Sequence, residues 1–173
     1  MDPLKKIIKY KDIAYIRESA KKNKQKIVFL TGFFDLYHVG HASMLAWAKN
    51  KGDILFIGLG PDDAAKAWKG NGRPIYSEKD RAYILACHQS VDYVLILREP
   101  VTPDKVNFRR AFKMLSPDII LAVNSDKPEM QEIRRGMAKE VGANLILFSP
   151  FPHGRKIKPS TTQIASEIKR LKL

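Results

Sequence analysis

The sequence has few of the residues that mark secreted, membrane-embedded or metal-rich proteins. It has one cysteine, Cys87, which therefore has no partner for an intrachain disulfide. It has four histidines, and only one pair of them lies close together in the chain. No apolar run approaches the ~18 residues of a membrane span, and the charged start has no signal-peptide apolar region. We therefore expect a soluble, cytoplasmic protein with no membrane partner.

Length and charge further limit the number of domains and the kinds of binding partner that we expect. The 173 residues fit one domain with a full hydrophobic core and leave no room for a second catalytic module. The formal net charge of +13 is concentrated at the two ends, with +6 in residues 1–30, +5 in 151–173 and +2 between them. This distribution favours a solvated surface over a nucleic-acid-binding face. Some of the C-terminal charge could instead face the phosphates of a small substrate.

Apolar segments and helical segments alternate along the chain. Residues 11–23 form a basic amphipathic pattern, so a leading helical segment (1–25) is expected to pack on a catalytic core (26–173). The core shows five strand-like runs at 27–30, 54–60, 91–97, 117–123 and 142–148. This alternation predicts a single Rossmann-like α/β domain over residues 1–173. The expected sheet is five-stranded and parallel, in the order 3-2-1-4-5, with helices on both faces.

The stretch 27–41 joins a strand, a glycine turn and the start of a helix. Its apolar run, 27–30, predicts a buried strand that breaks at Thr31 and Gly32. Residues 42–50 then show helical spacing. Ligands of parallel α/β sheets bind where strands end, so this turn is a candidate binding site.

Two histidines lie at the start of that helix. His38 and His41 are three residues apart, which places both imidazoles on one side of its first turn, at the positive end of the helix. Gly40 removes a Cβ between them, so a ligand can approach the backbone closely. Such an arrangement suits a polyphosphate. The alternatives are that His38 only caps the helix and His41 is a satisfied interior histidine, or that both bind a transition metal with Asp35.

The segment from Gly32 to His41 resembles the signature G-x-F-D-x-x-H-x-G-H of the cytidylyltransferase-like nucleotidyltransferases. The likeness extends over nearly the whole chain, and it is closest to the adenylyltransferase domain of bacterial ADP-heptose synthesis. The matching segments are the leading helix, the signature, Gly52–Leu55, Lys69–Ile75, Val91–Val94, Pro117–Ile120 and Ser160–Thr162.

The resemblance implies a reaction and a cofactor. Members of this family transfer a nucleoside monophosphate, most simply AMP from ATP, to a phosphorylated acceptor such as a heptose 1-phosphate, and they release pyrophosphate. Mg²⁺ is expected to arrive with the nucleotide, without a metal site made of protein groups alone. Homodimers are common in the family. Glycerol-3-phosphate-type cytidylyltransferases and FAD synthetase-type FMN adenylyltransferases share most of these motifs, so ATP or CTP and the acceptor stay open. A domain of another class, binding nucleotide or nucleic acid without catalysis, is a further alternative.

The resemblance also implies roles for individual residues. The catalytic set would be His38, His41 and Lys69. The acceptor would contact Asp35, Lys66 and Arg73. The nucleotide would contact Thr31, Gly32, Phe33, Asp35, Gly40, Arg81, Asn124, Asp126, Ser160, Thr161 and Thr162. From the residues alone, the lysines could equally form a solvated helix face, Arg81 a surface ion pair, and Ser160 an ordinary helix cap.

The chain departs from the family pattern in two places. After the fourth predicted strand it reads Val123-Asn-Ser-Asp126, without the glycines that let a base lie against the backbone. The last helix lacks the arginine that cytidylyl and pantetheine-type members often place after the Ser-Thr-Thr motif. Both differences concern the recognition of the nucleotide.

Overall fold

The computed structural model describes residues 2–100, 108–123, 127–149 and 161–171. In this part of the chain the strands are β1 (Ile7–Ile8), β2 (Ile27–Gly32), β3 (Ile54–Leu59), β4 (Tyr93–Ile96), β5 (Ile119–Val123) and β6 (Asn144–Phe148). The α-helices are α1 (Ile13–Lys22), α2 (Val39–Lys49), α3 (Asp62–Lys69), α4 (Glu78–Cys87), α5 (Arg109–Leu115), α6 (Pro128–Val141) and α7 (Thr161–Arg170). Short 3-10 helices at Pro3–Lys6 and Tyr10–Asp12 flank β1.

The sheet differs from the expected one. Within the described residues it has six parallel strands in the order β1-β4-β3-β2-β5-β6, so the prediction of five strands in the order 3-2-1-4-5 is wrong. The additional strand is β1, in which Ile7 pairs with Val94 and Ile8 with Leu95. A two-residue strand has no periodicity to detect in the sequence. Its pairing covers the edge of β4 that the other strands leave open.

The sheet is buried on both faces, as an α/β sheet with crossover helices requires. Alternate residues of β2 enter opposite cores, with Ile27 and Phe29 on one face and Val28 and Leu30 on the other. Helices α1, α5 and α6 cover the first face, and α2 and α4 cover the second. The Rossmann-like α/β fold expected from the alternation is confirmed, and the apolar residues of α1 are buried as its pattern predicted.

This topology determines where the signature lies. From β2 the chain runs outward to β3 and β4, and it then returns to the other side of β2 to form β5 and β6. The strand order therefore reverses beside β2, whose carboxyl end leads into the signature loop, residues 33–38.

Within the described ranges, no helix has both the length and the apolar character that a membrane crossing requires.

Candidate active site

The signature loop is held in an unusual backbone conformation. Phe34 (φ 53°) and Leu36 (φ 46°) are left-handed although neither is glycine, a conformation that costs free energy and is concentrated at functional sites. The Phe34 ring lies over Gly32, where an added Cβ would be 2.9 Å from the ring. Glycine at this position therefore lets the loop fold back tightly. The two left-handed residues turn Asp35, between them, into the interior, where it is 6% exposed.

His38 caps α2 with one nitrogen of its imidazole and keeps the other nitrogen available for a ligand. Its Nδ1 accepts a hydrogen bond from the Gly40 N–H at 3.1 Å, which satisfies one of the free amides at the start of the helix. Because Nδ1 is the acceptor, the neutral ring carries its proton on Nε2. The capping alternative raised by the sequence is thus part of the structure, and it leaves Nε2–H as a donor for a ligand.

His41 stacks on His38, with ring centroids 3.9 Å apart and planes 20° apart. Phe34 and Tyr37 pack around it, with ring centroids at 5.3 and 5.7 Å. Its Nδ1 is buried and has no hydrogen-bond partner within the described part of the chain. The alternative that His41 is an interior histidine with its hydrogen bonds satisfied therefore does not hold.

Burial keeps both imidazoles neutral. It lowers the pKa of His41 to about 4, with a further decrease from His38 and a small opposing effect of Asp35. Burial also lowers the pKa of His38. Without ligand the two rings are neutral hydrogen-bond donors at pH 7, and a bound anion would favour their protonated forms.

Asp35 is surrounded by donors from the protein itself. Its carboxylate accepts hydrogen bonds from the backbone N–H groups of Ile75 (3.0 Å) and Tyr76 (3.2 Å), and from that of Leu36 (3.1 Å). Arg73 Nη1 lies 2.9 Å from Oδ2 in an ion pair. The sequence predicted direct ligand contacts for Asp35, whereas in the structure its carboxylate fastens the Arg73–Tyr76 segment to the signature loop.

The start of α7 reaches the same loop. The Thr161 hydroxyl donates a hydrogen bond to the backbone carbonyl of Asp35 at 3.0 Å, across 126 residues of chain. This contact joins the first turn of α7 to the signature loop, whose last residue is His38. The predicted ligand residues Asn124, Asp126, Ser160 and the side chain of Thr162 lie outside the described residues.

The two predicted lysines lie on α3. Lys66 and Lys69 are both exposed, and Lys69 is the last residue of the helix, followed by Gly70 at φ 90°. The helix follows β3, which pairs with β2 directly, so both lysines lie on the β3 side of the signature loop.

Comparison with known proteins identifies the family of the chain. A model of the family described as cytidylyltransferase-like matches residues 29–167. This chain belongs to the cytidylyltransferase-like family. The match includes most of β2, the signature loop with His38, the first turn of α2 with His41, and the start of α7.

Cytidylyltransferase-like relatives include the bifunctional protein HldE of Helicobacter pylori (strain J99), 42% identical over 153 residues, or 88% of this chain and 30% of that protein. HldE of Nitratiruptor sp. is 37% identical over 140 residues, 80% of this chain and 29% of that protein. The chain thus spans about 30% of the length of these curated relatives.

A solved structure supports the fold. The crystal structure of the lipopolysaccharide core biosynthesis protein from Thermoplasma volcanium aligns with a TM-score of 0.58 at 23% identity, over 73% of this chain and 97% of that one. At this identity the likeness concerns the cytidylyltransferase-like fold alone.

Arg81 lies inside this cytidylyltransferase-like domain and is fully buried. Its Nη1 donates to the carbonyls of Phe33 (2.6 Å) and Gly60 (2.8 Å), and its Nε donates to that of Tyr76 (3.0 Å). Nη2 pairs with Asp62 at 2.6 Å. The guanidinium thus joins the ends of β2 and β3 to the start of α4. The alternative of a surface ion pair is therefore wrong, because Arg81 is buried and binds the backbone beside the signature loop.

Two aromatic residues near the site were not among the predicted ligands. The Tyr37 hydroxyl and the Trp68 indole N–H are buried, and neither has a hydrogen-bond partner within the described residues. Tyr37 belongs to the signature loop, and Trp68 makes an edge-on contact with Phe33, ring centroids 5.2 Å apart. In the sequence, only their positions next to His38 and Lys69 indicated that they could lie near the site.

Metal ligands are scarce in the described ranges. No group of three or more His, Cys, Asp or Glu side chains there is arranged to hold a metal ion. Asp35, the acidic residue of the signature, already accepts three backbone hydrogen bonds and an arginine contact. These residues do not fit a protein-held Mg²⁺ site.

Proposed function

We propose that this chain is a nucleotidyltransferase that transfers AMP from ATP to a sugar 1-phosphate of the heptose class and releases pyrophosphate. The observation that carries the proposal is the contact between Thr161 and Asp35, because it places the start of α7 beside the loop of His38 and His41. Imidazole N–H groups and helix-terminal amides near one another form a donor set for a polyphosphate.

The reaction needs positioning more than covalent chemistry. A phosphate oxygen of the acceptor attacks the α-phosphorus of the triphosphate, a new P–O bond forms, and the bond to the β-phosphate oxygen breaks. Pyrophosphate leaves with that electron pair. The attacking oxygen is already anionic, so no general base is required. Mg²⁺ would neutralise part of the phosphate charge and would be held by the nucleotide.

In this proposal the chain's own groups stabilise negative charge. His38 donates from Nε2 to the phosphate oxygens, since its Nδ1 is occupied by Gly40. His41 donates beside it and gains affinity for a proton as charge develops. Lys69 at the end of α3 neutralises the departing pyrophosphate, and Lys66 with Arg73 binds the acceptor phosphate.

The choice of heptose 1-phosphate rests on likeness. The sequence motifs resemble the adenylyltransferase domain of ADP-heptose synthesis, and the curated relatives reported above are HldE proteins. A place in the synthesis of the lipopolysaccharide core follows from that likeness. The choice of ATP over CTP has the same basis.

A panel of nucleotides tests the proposal. MgATP should raise the melting temperature more than MgCTP, and a pyrophosphate-release assay with ATP should then respond to heptose 1-phosphate more than to glycerol 3-phosphate or FMN. His41→Ala should lower turnover by orders of magnitude with nearly normal folding. Turnover similar to the wild type in that variant would refute the assigned mechanism.

Other outcomes point to the alternatives. A preference for CTP with glycerol 3-phosphate would indicate a cytidylyltransferase, and a preference for ATP with FMN would indicate an FAD synthetase. Strongly salt-dependent binding of an oligonucleotide, with no stabilisation by any Mg-nucleotide, would indicate a non-catalytic binding domain.

A further inference from the structure

We propose that Asp35 is a positioning residue that fastens the Arg73–Tyr76 segment to the signature loop and thereby presents the guanidinium of Arg73 to the phosphate of the acceptor. This inference rests on the proposed function for the identity of the acceptor. The assignment for Asp35 rests on the geometry of its side chain.

Most of the acceptor capacity of the Asp35 carboxylate is used within the protein. It is 7% exposed and accepts backbone hydrogen bonds from Leu36, Ile75 and Tyr76. A second contact from Ile75 reaches Oδ2 at 3.1 Å, and Arg73 approaches the same oxygen. A metal ion or an acceptor hydroxyl would compete with these donors for the same two oxygens. The carboxylate therefore acts through the segment that it holds.

The loop around Asp35 is built for this contact. The left-handed residues Phe34 and Leu36 on either side turn the carboxylate inward, toward a segment forty residues later in the chain. Backbone strain of this kind persists only where surrounding contacts enforce it. Here the enforcing contacts are the amides of Ile75 and Tyr76. The bond from Thr161 uses the Asp35 main-chain carbonyl, so the side chain and the backbone of one residue hold two separate segments.

The ion pair with Asp35 does not occupy the hydrogen-bond donors of Arg73. Its Nη1 lies 2.9 Å from Oδ2, but the angles do not make a hydrogen bond, and this nitrogen is buried without a hydrogen-bond partner in the described part of the chain. A guanidinium has five N–H donors and matches phosphate oxygens in pairs. Arg73 also follows Lys69 by four residues, so its charge and that of the lysine belong to one short stretch. The pair with Asp35 sets its position and leaves donors for a phosphate.

Hydrogen exchange tests the fastening without any assay of activity. In the wild type the amides of Ile75 and Tyr76 should be protected, and Asp35→Asn should speed their exchange by about tenfold or more, because an uncharged amide is a weaker acceptor for several donors. Arg73→Gln should leave both amides protected, since their bonds go to Asp35. Unchanged exchange in Asp35→Asn would overturn the proposal.

A matched control comes from the opposite end of the sheet. Asp118 also accepts a backbone N–H, from Ile27 at 2.8 Å, and also pairs with an arginine, Arg17 at 3.1 Å. Asp118→Asn should therefore lose a similar set of contacts without changing exchange at Ile75 and Tyr76. Loss of protection in both variants would show general loosening of the domain and would overturn the proposal.

Kinetics separate positioning from metal binding. In Asp35→Asn the KM for heptose 1-phosphate should rise by about tenfold or more, as for loss of a charge-assisted contact, while the KM for MgATP changes by less than about twofold. Arg73→Gln should show the same split, and Arg73→Lys should restore part of it. If excess Mg²⁺ restores Asp35→Asn to wild-type rates, Asp35 is a metal ligand and the proposal fails.

Failure of the proposed function would look different. If the wild type transfers no nucleotide to any acceptor, the function is wrong, and the exchange data still decide the role of Asp35. The role of Arg73 is then decided with inorganic phosphate as the probe. Phosphate should raise the melting temperature of the wild type more than that of Arg73→Gln, and equal shifts would overturn that part.

Discussion

The imidazole rings of His38 and His41 lie face to face, with centroids 3.9 Å apart. Two positive charges at this separation repel each other, so the protonation of one ring opposes that of the other. An anion placed beside the pair would offset this repulsion. We therefore expect proton binding and anion binding by this pair to be coupled.

The first prediction concerns stability and pH. The pKa of His41 is lowered to about 4 from its ordinary 6.5, so the unfolded chain binds a proton more readily than the folded one between these values. Stability contributed by the neutral ring is complete above pH 6.5 and is lost as the pH falls toward 4, by at most about 3 kcal/mol. Urea unfolding from pH 7.5 to 4 measures the loss. His41→Gln, which has no titrating ring, should show a shallower decrease, and parallel curves would contradict the assignment.

The second prediction separates the two roles of His38. His38→Asn keeps a good N-cap and removes the imidazole, so we expect nearly wild-type stability and a loss of turnover. His38→Ala removes both, and it should lose turnover and also about 1 kcal/mol of stability. Thermal unfolding and pyrophosphate release on both variants make the comparison. Full activity in His38→Asn would mean that the histidine serves only as a cap.

The third prediction concerns the buried arginine. Arg81→Met leaves the carbonyls of Phe33 and Gly60 without their donor, and we expect a loss of about 3–5 kcal/mol in the free energy of unfolding. Arg98 also pairs with a carboxylate, that of Glu78, but its side chain is 57% exposed. Arg98→Met should therefore cost less than about 1 kcal/mol. Equal losses in the two variants would refute the ordering role of Arg81.

The fourth prediction tests the junction between α7 and the signature loop. Thr161→Val keeps the shape of the side chain and removes the hydroxyl that reaches the Asp35 carbonyl, so MgATP should stabilise this variant less than the wild type. Thr161→Ser keeps the hydroxyl and should behave like the wild type. Melting temperatures over a titration of MgATP give the answer, and similar shifts in Val and Ser would disconnect this contact from nucleotide binding.

Part of this molecule could be predicted from local pattern. The apolar runs located β2 to β6 to within a few residues, and the spacing of Ile13, Ile16 and Ala20 identified the buried side of α1. The signature located the histidines at the start of a helix. These features depend on periodicity and on residues adjacent in the chain, which the order of amino acids displays directly.

Contacts between distant segments were decided by the folded structure. Pairing of β1 with β4, enclosure of Arg81 by three carbonyls, and the junction of Thr161 with Asp35 each join parts of the chain that the sequence pattern treats as unrelated. A charged residue looks the same in sequence whether it faces a ligand or neighbouring backbone. Which partner it meets depends on the strand order and on chain closure over tens of residues, and only the assembled sheet and helices establish these.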